Sequence, residues 1–261
     1  AVGDGIADDA PGIAAALQAA AAVPNGVVWL RKGVYRLSKT LIVPQGVALV
    51  GVSHRLVLLV PTRGRSAALS APEPLVHMLP PSDGRLRNSQ GAVPGSTLAH
   101  LMLGTMQYQN NIVGWHWEAE GENNVGRELS SWILQPICPQ QITPAACPHI
   151  YPPTPSPPPP FWELPGRFNS SMTTLTGSGR FFVTHHEDGF FENTGYRHLL
   201  ITGTAAGRRA FYHLNPEHAQ SDANVEIKNG GGVEIYGLKS EGLFAVLWLR
   251  NATDVSLYGF G

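Results

Sequence analysis

The spacing of apolar positions changes once along this chain. Near its start, Ile13, Ala16, Leu17 and Ala20 recur at helical spacing within "DDAPGIAAALQAAAAVPNG". That stripe predicts a helix from about Gly12 to Ala22, with Asp8 or Asp9 as N-cap, Pro11 in the first turn and "VPNG" as its end. Such a helix must lay its apolar face on something. From Gly26 onward the period falls to two. "GVVWL", "GVYRL", "TLIV" and "GVALVG" are short β-rich runs parted by a few residues of Gly, Pro, Lys or Gln.

Short strands without long intervening helices argue against a doubly wound α/β fold and call for a search for repeats. The C-terminal end supplies one. Residues 225–237, "VEIKNGGGVEIYG", align without a gap on residues 247–259, "LWLRNATDVSLYG", at an offset of 22. Alternation puts Val225, Ile227, Val233 and Ile235, with Leu247, Leu249, Val255 and Leu257, on one side. Glu226, Lys228, Tyr236, Trp248, Arg250 and Tyr258 fall on the other. A repeat this short cannot bury its apolar side alone, so copies must stack, and stacked rungs of short parallel strands make an all-β solenoid, the parallel β-helix. The alignment also sets Asn251 over Asn229 at inward parity, which predicts a buried asparagine ladder. Asn251-Ala252-Thr253 is equally a glycan sequon, a role that demands exposure. The ladder reading prevails here, leaving Asn169, in Asn169-Ser170-Ser171, as the expected glycosylated residue.

"GDGIADDAPGIAAALQAA", followed by the strand runs of residues 26–51, resembles the start of the pectate-lyase-like superfamily of right-handed parallel β-helix proteins. Its members open with a GDGxxDD turn, an amphipathic capping helix and G-x-V strand repeats. The resemblance is close over residues 3–51 and looser over the C-terminal third. It implies a single β-helix domain over residues 1–261, with residues 1–25 as capping turn and helix over the open N-terminal end. It also implies that Gly3 and Gly5 serve the turn and that Asp4, Asp8 and Asp9 are structural.

Composition narrows the partners. A formal net charge of −1 with 14% charged residues provides no basic surface for nucleic acid, and a neutral polysaccharide or glycan is the expected ligand. No apolar run approaches the roughly 20 residues of a membrane-spanning helix. Twelve of the 22 prolines fall within residues 136–165, too dense for strand ladders, so this stretch is expected to project as a loop. Its "SPPPP" resembles the hydroxyproline repeats of extensin-type wall glycoproteins. That likeness implies O-glycosylated Pro157, Pro158, Pro159 and Pro160; a plain stiff spacer is the alternative. Cys138 and Cys147, nine positions apart, read as a disulfide loop or as two unpaired buried thiols. With the sequons, the disulfide points to a secretory route and an extracellular place, at a cell wall or cell surface. The chain stops mid-repeat at "YGFG", so a longer polypeptide, self-assembly or a capping partner is expected at that end.

Glycoside hydrolysis needs two carboxyls, one protonated and one ionised; lyases need a base beside carboxylates that hold Ca²⁺. Candidates lie in "HHEDGFFENTG" (His185, His186, Glu187, Asp188, Glu192), "FYHLNPEHAQSD" (His213, Glu217, His218, Asp222) and "GLKSEG" (Lys239, Glu241). Glu217 and Glu241 are the expected catalytic acids, each with a plain structural role as alternative. Tyr236, Trp248 and Tyr258, on the outward parity, are the expected sugar-stacking residues or a cover for the sheet. The polygalacturonase motifs are missing, since Asn193-Thr194 runs into Gly195. "HHED" lacks HExxH spacing and its adjacent histidines point to opposite faces, so no metal and no other cofactor is expected. Two functions follow: a secreted, glycoside hydrolase-like β-helix that acts on or binds a polysaccharide, or a non-catalytic structural glycoprotein of a wall or surface filament.

Overall fold

The computed structural model describes residues 1–62, 65, 73–81, 94–106, 112–134, 171–188, 197–203, 207–219, 223–242 and 245–261. In chain order the elements are β1 (Asp4–Asp8), α1 (Ala10–Ala21), β2 (Val27–Leu30), β3 (Gly33–Leu37), β4 (Leu41–Val43), β5 (Ala48–Gly51), β6 (Val57–Pro61), β7 (Glu73–Met78) and β8 (Thr97–Met106). They continue as β9 (Ile112–Trp117), β10 (Val125–Leu134), β11 (Ser171–Leu175), β12 (Gly179–Asp188), β13 (Arg197–Gly203), β14 (Arg209–Glu217), β15 (Ala223–Leu238) and β16 (Ala245–Phe260).

The described strands pair only in parallel and wind through three ladders. Ladder A holds β2, β5, the first parts of β8, β10, β12 and β14, and the later parts of β15 and β16. Ladder B holds β1, β3, β6 and the second parts of β8, β10, β12 and β14. Ladder C holds β4, β7, β9, β11, β13 and the first parts of β15 and β16. The chain visits A, B and C in turn, the path of a right-handed parallel β-helix with a helix at its N-terminal end. The 22-residue repeat is two successive rungs, with Val225 opposite Leu247, Ile227 opposite Leu249 and Ile235 opposite Leu257.

Side chains at one register position form a column down the rod. The inward column of ladder A runs Val28, Leu49, Leu98, Gly126, Phe181, Phe211 and Ile235. Phe181 stacks on Phe211 at 4.8 Å and meets the edge of Trp117 at 4.9 Å, all fully buried. Gly126 leaves the room this needs, since a Cβ there would stand 2.6 Å from the Phe181 ring.

From β8 onward each rung turns from A to B at one residue in the left-handed region: His100, Glu128, Val183, His213, Gly237 and Gly259, with φ between 47° and 79°; the first two rungs make this turn through Arg31–Lys32 and Val52–Leu56 instead. The turn from C to A is broader and polar. There Asn124 accepts the Ser96 amide at 2.7 Å and the Gln45 amide at 3.1 Å, and donates to the Ser178 carbonyl at 3.3 Å. Farther along, fully buried Arg209 donates to the carbonyls of Thr176, Gly177, Thr202, Gly203 and Gly231 at 2.7–3.2 Å. A guanidinium without a carboxylate among these partners is satisfied by peptide dipoles drawn from three rungs.

Helix α1 covers the N-terminal end as expected, though on a different stripe. Ala10, Ile13, Leu17 and Ala20 are buried, while Ala16 is exposed because the period of 3.6 carries it off that face. Asp9 is the N-cap residue, but its carboxylate turns back to the amides of Val2 and Gly3, and Asp8 accepts the Ala10 amide at 3.1 Å. The opening turn is in part strand β1. Helix α1 is not long and apolar enough to cross a membrane, nor is any other described helix. Asn251 does donate to Asn229, at 3.1 Å, but both side chains are exposed. Their φ values of 49° and 51° swing each side chain out of the strand alternation, so the inward assignment fails at this turn. Cys138, Cys147, Asn169 and Pro157–Pro160 lie outside the described residues, in the stretch between the end of β10 in ladder B and the start of β11 in ladder C.

Arg209→Leu leaves one buried and four partly buried carbonyls without their donor, and unpaired buried acceptors cost about 1–3 kcal/mol each. The variant is expected to lose at least about 3 kcal/mol of unfolding free energy in urea titration, well beyond an Arg208→Leu control, whose residue is largely exposed.

Candidate functional site

The outer face of ladder B gathers the ionisable residues that the sequence scatters. Register sets His185 beside Asn215, and an isolated parallel bridge sets Glu217 beside Glu241. Lys239 reaches both carboxylates, bonding Glu217 and lying 2.6 Å from Glu241 Oε1. His185 Nε2 stands 3.7 Å from Glu217 Oε2, and His218 Nε2 stands 3.9 Å from Glu241 Oε2. Glu217 is 7% exposed, whereas Glu241 lies open to solvent. The hydrogen bond and charge of Lys239 hold the Glu241 carboxyl below the usual carboxylate range. Glu241 is therefore an acceptor and a poor proton donor.

The strand beneath Glu217 is fixed from inside. His198 Nε2–H donates to the Glu217 carbonyl from a fully buried position, which defines the neutral tautomer. Burial lowers the His198 pKa to about 3 and pushes that of fully buried His186 well down too. His185 and His186 do face opposite ways, one half-exposed toward Glu217 and one packed against Trp115 at 6.2 Å. Side-chain positions of Glu187 and Asp188, and all of Glu192 and Asp222, lie outside the described set.

Toward the N-terminal end of the same face, Glu128 receives His100 Nδ1 at 2.8 Å and His54 Nδ1 at 3.4 Å. The bond from His100 leads in lowering the Glu128 pKa. Between this group and Glu217 runs a shallow cleft lined by His54, Glu128, Ser130, His185, His213 and Asn215. His100, Glu128 and His213 are corner residues, so their left-handed backbone aims them at solvent beside that cleft.

The expected sugar-stacking residues fall on two different faces. Tyr236 and Tyr258 stand in the outward column of ladder A, where Phe182, Tyr212, Tyr236 and Tyr258 stack face to face at 4.9, 5.1 and 4.8 Å. Arg127 closes the column over Phe182 at 5.1 Å. Ring faces within that stack meet other rings, so it offers its edges and hydroxyls outward. Trp248 lies on ladder C with Arg250 over its ring at 4.8 Å. Near it Glu226, 1% exposed, is held by Arg197 at 2.6 Å and Arg250 at 3.2 Å.

One group escaped the sequence reading altogether. His77, His116 and Glu118 meet on the outer face of ladder C. Their only signal is a histidine flanked by apolar residues in both "VHM" and "WHW", followed by Glu118 two positions on.

Residues 1–123 match the family model described as rhamnogalacturonase A/epimerase, pectate lyase-like. Over that stretch the sequence is similar to that family, and its strands lie in the parallel β-helix described above. The strands beyond it continue the same three ladders without a break in register direction. Among solved structures, the chain is similar to ORF18 of Geobacillus virus E2 at 11% identity and a TM-score of 0.32, with 99% of this chain and 59% of that one covered. It is similar to the A-module of the Azotobacter vinelandii mannuronan C-5 epimerase AlgE6 at 15% identity and a TM-score of 0.28, covering 98% and 77%. For the AlgE4 A-module of the same organism the values are 10%, 0.27, 100% and 94%. The chain thus spans under two thirds of the virus protein. No curated protein sequence matches this chain.

The buried histidines set an acid limit. Below about pH 6.5 the unfolded chain protonates its histidines, while folded His198 stays neutral down to about pH 3. Folding stability is therefore full above that range and falls as pH drops, by about 1.4 kcal/mol per unit from His198, with His186 adding in the same direction. Urea midpoints at pH 7, 6, 5 and 4 should show this decline, and His186→Phe should flatten it.

Proposed function

We infer that this protein is an extracellular carbohydrate-active β-helix, glycoside hydrolase-like in its chemistry, that lays a polysaccharide across the outer face of ladder B. One observation carries the reading. His185, Glu217, His218, Lys239 and Glu241, drawn from three separate stretches, converge beside a cleft on one outward face. The family description over residues 1–123 supports a carbohydrate ligand, and the near-neutral composition supports a polymer of low charge.

The roles follow from the environments. Glu217, nearly buried and positioned through its backbone by His198, is the carboxylate that acts at the anomeric carbon or on a water. Glu241 and Lys239 orient it and stabilise charge. Because Glu241 is kept ionised, the proton for the leaving oxygen comes from His185, the imidazole nearest Glu217.

A structural rod is the second reading, and the saturation of these groups favours it. Lys239 is shared by two carboxylates, and the tyrosine column spends its ring faces on itself. Reducing-sugar release from a panel of neutral glucans and uronans separates the two. The enzyme reading expects release by the wild type and a loss of at least about 100-fold in Glu217→Gln, with a smaller loss in Glu241→Gln. No release from any member of the panel would establish the rod.

A further inference from the structure

The outer face of ladder C carries a concentration of ligating atoms apart from the ladder B cleft. His77 and His116 occupy matched positions on β7 and β9, so their rings stack one rung apart, at 4.8 Å and 8°. Both direct Nε2 at the same carboxylate. His77 Nε2 lies 2.8 Å from Glu118 Oε2, and His116 Nε2 lies 3.5 Å from Glu118 Oε1. The side chains are 22%, 26% and 33% exposed, sheltered yet reachable from solvent. A hydrogen bond accounts for His77. His116 Nε2 is buried and has no hydrogen-bond partner, an arrangement that costs folding energy unless something else takes its lone pair.

We propose that His77, His116 and Glu118 form a binding site for a divalent transition-metal ion of the zinc type. Zinc sits about 2.0–2.2 Å from imidazole nitrogen and carboxylate oxygen, which places neighbouring ligand atoms of a tetrahedron about 3.3 Å apart. The two contacts, made to different oxygens of Glu118, fall on either side of that separation, and the three ligand atoms all lie within 4.8 Å of one another. Two imidazoles select zinc, cobalt, nickel or copper over calcium and magnesium, which take oxygen ligands. Three protein ligands leave one position for water or for a ligand donor atom arriving along ladder C. Among the described residues, no other group of His, Cys, Asp and Glu brings three ligand atoms within 4.8 Å of one another. The His54, His100 and Glu128 group has the same composition without that convergence, and so supplies the control.

The test uses tag-free full chain, stripped with chelator and titrated with Co²⁺ and then Zn²⁺. Expected are one equivalent of Co²⁺ with visible ligand-field absorption, its displacement by one equivalent of Zn²⁺, and a fall in affinity of at least about tenfold in His77→Ala and Glu118→Gln. His100→Ala should bind as the wild type does. X-ray absorption of the wild-type Co²⁺ complex, which needs no variant to fold, should show two imidazoles and a carboxylate. Absence of stoichiometric binding, a coordination shell without two imidazoles, or loss of binding in His100→Ala rather than His77→Ala would overturn the assignment. None of these readouts involves sugar release, so the outcome is independent of the function proposed for ladder B.

Discussion

From β8 onward every rung turns from ladder A to ladder B at the same place, and the left-handed corner residue is the constraint on which that part of the molecule, with its cleft, depends. Parallel strands hydrogen-bond along their length, so a turn displaced by one residue would invert every side chain after it. One residue of positive φ reverses the local alternation without breaking the ladder. Its side chain is driven outward, and for any residue but glycine the conformation costs about 1–2 kcal/mol. Gly237 and Gly259 avoid that cost, whereas His100, Glu128 and His213 accept it and put ionisable groups at the rim of the cleft. Nothing in the structure explains a β-branched residue at the same corner in Val183.

Fixed corners make columns, and columns decide both the core and the site. Gly126 faces the lumen because Phe181 on the next rung needs its space. Arg209 can sit inside the protein only because stacked turns present carbonyls of three rungs to one guanidinium. The ladder B cluster has the same origin. Residues as far apart in sequence as His185 and Lys239 come to share Glu217 because each stands two positions after its corner on a rung flanking β14.

This origin explains what the sequence disclosed. The 22-residue repeat was legible because β15 and β16 are successive rungs of equal length, and their pairing keeps the register of the alignment. Glu217 and Glu241 could be picked out as acids at rung ends, but their common lysine could not, since pairing across rungs depends on where each corner falls. His77 and His116 were invisible for a related reason. The chain between them includes stretches of a length unlike any other rung, so no fixed offset exposes their alignment. Asn229 and Asn251 show the reverse error. Their alignment was right and their direction wrong, because strand parity does not survive a left-handed residue.

The tyrosine column has a consequence of a different kind. Tyr212, Tyr236 and Tyr258 hold their phenol rings within 10° of parallel at separations of 5.1 and 4.8 Å. Aromatic chromophores that close and that aligned share excitation, so their near-ultraviolet dichroism and emission belong to the stack as a whole. The protein thereby contains an optical report on rung spacing, a coupled contribution that changes when neighbouring turns at Tyr212, Tyr236 and Tyr258 slip or part.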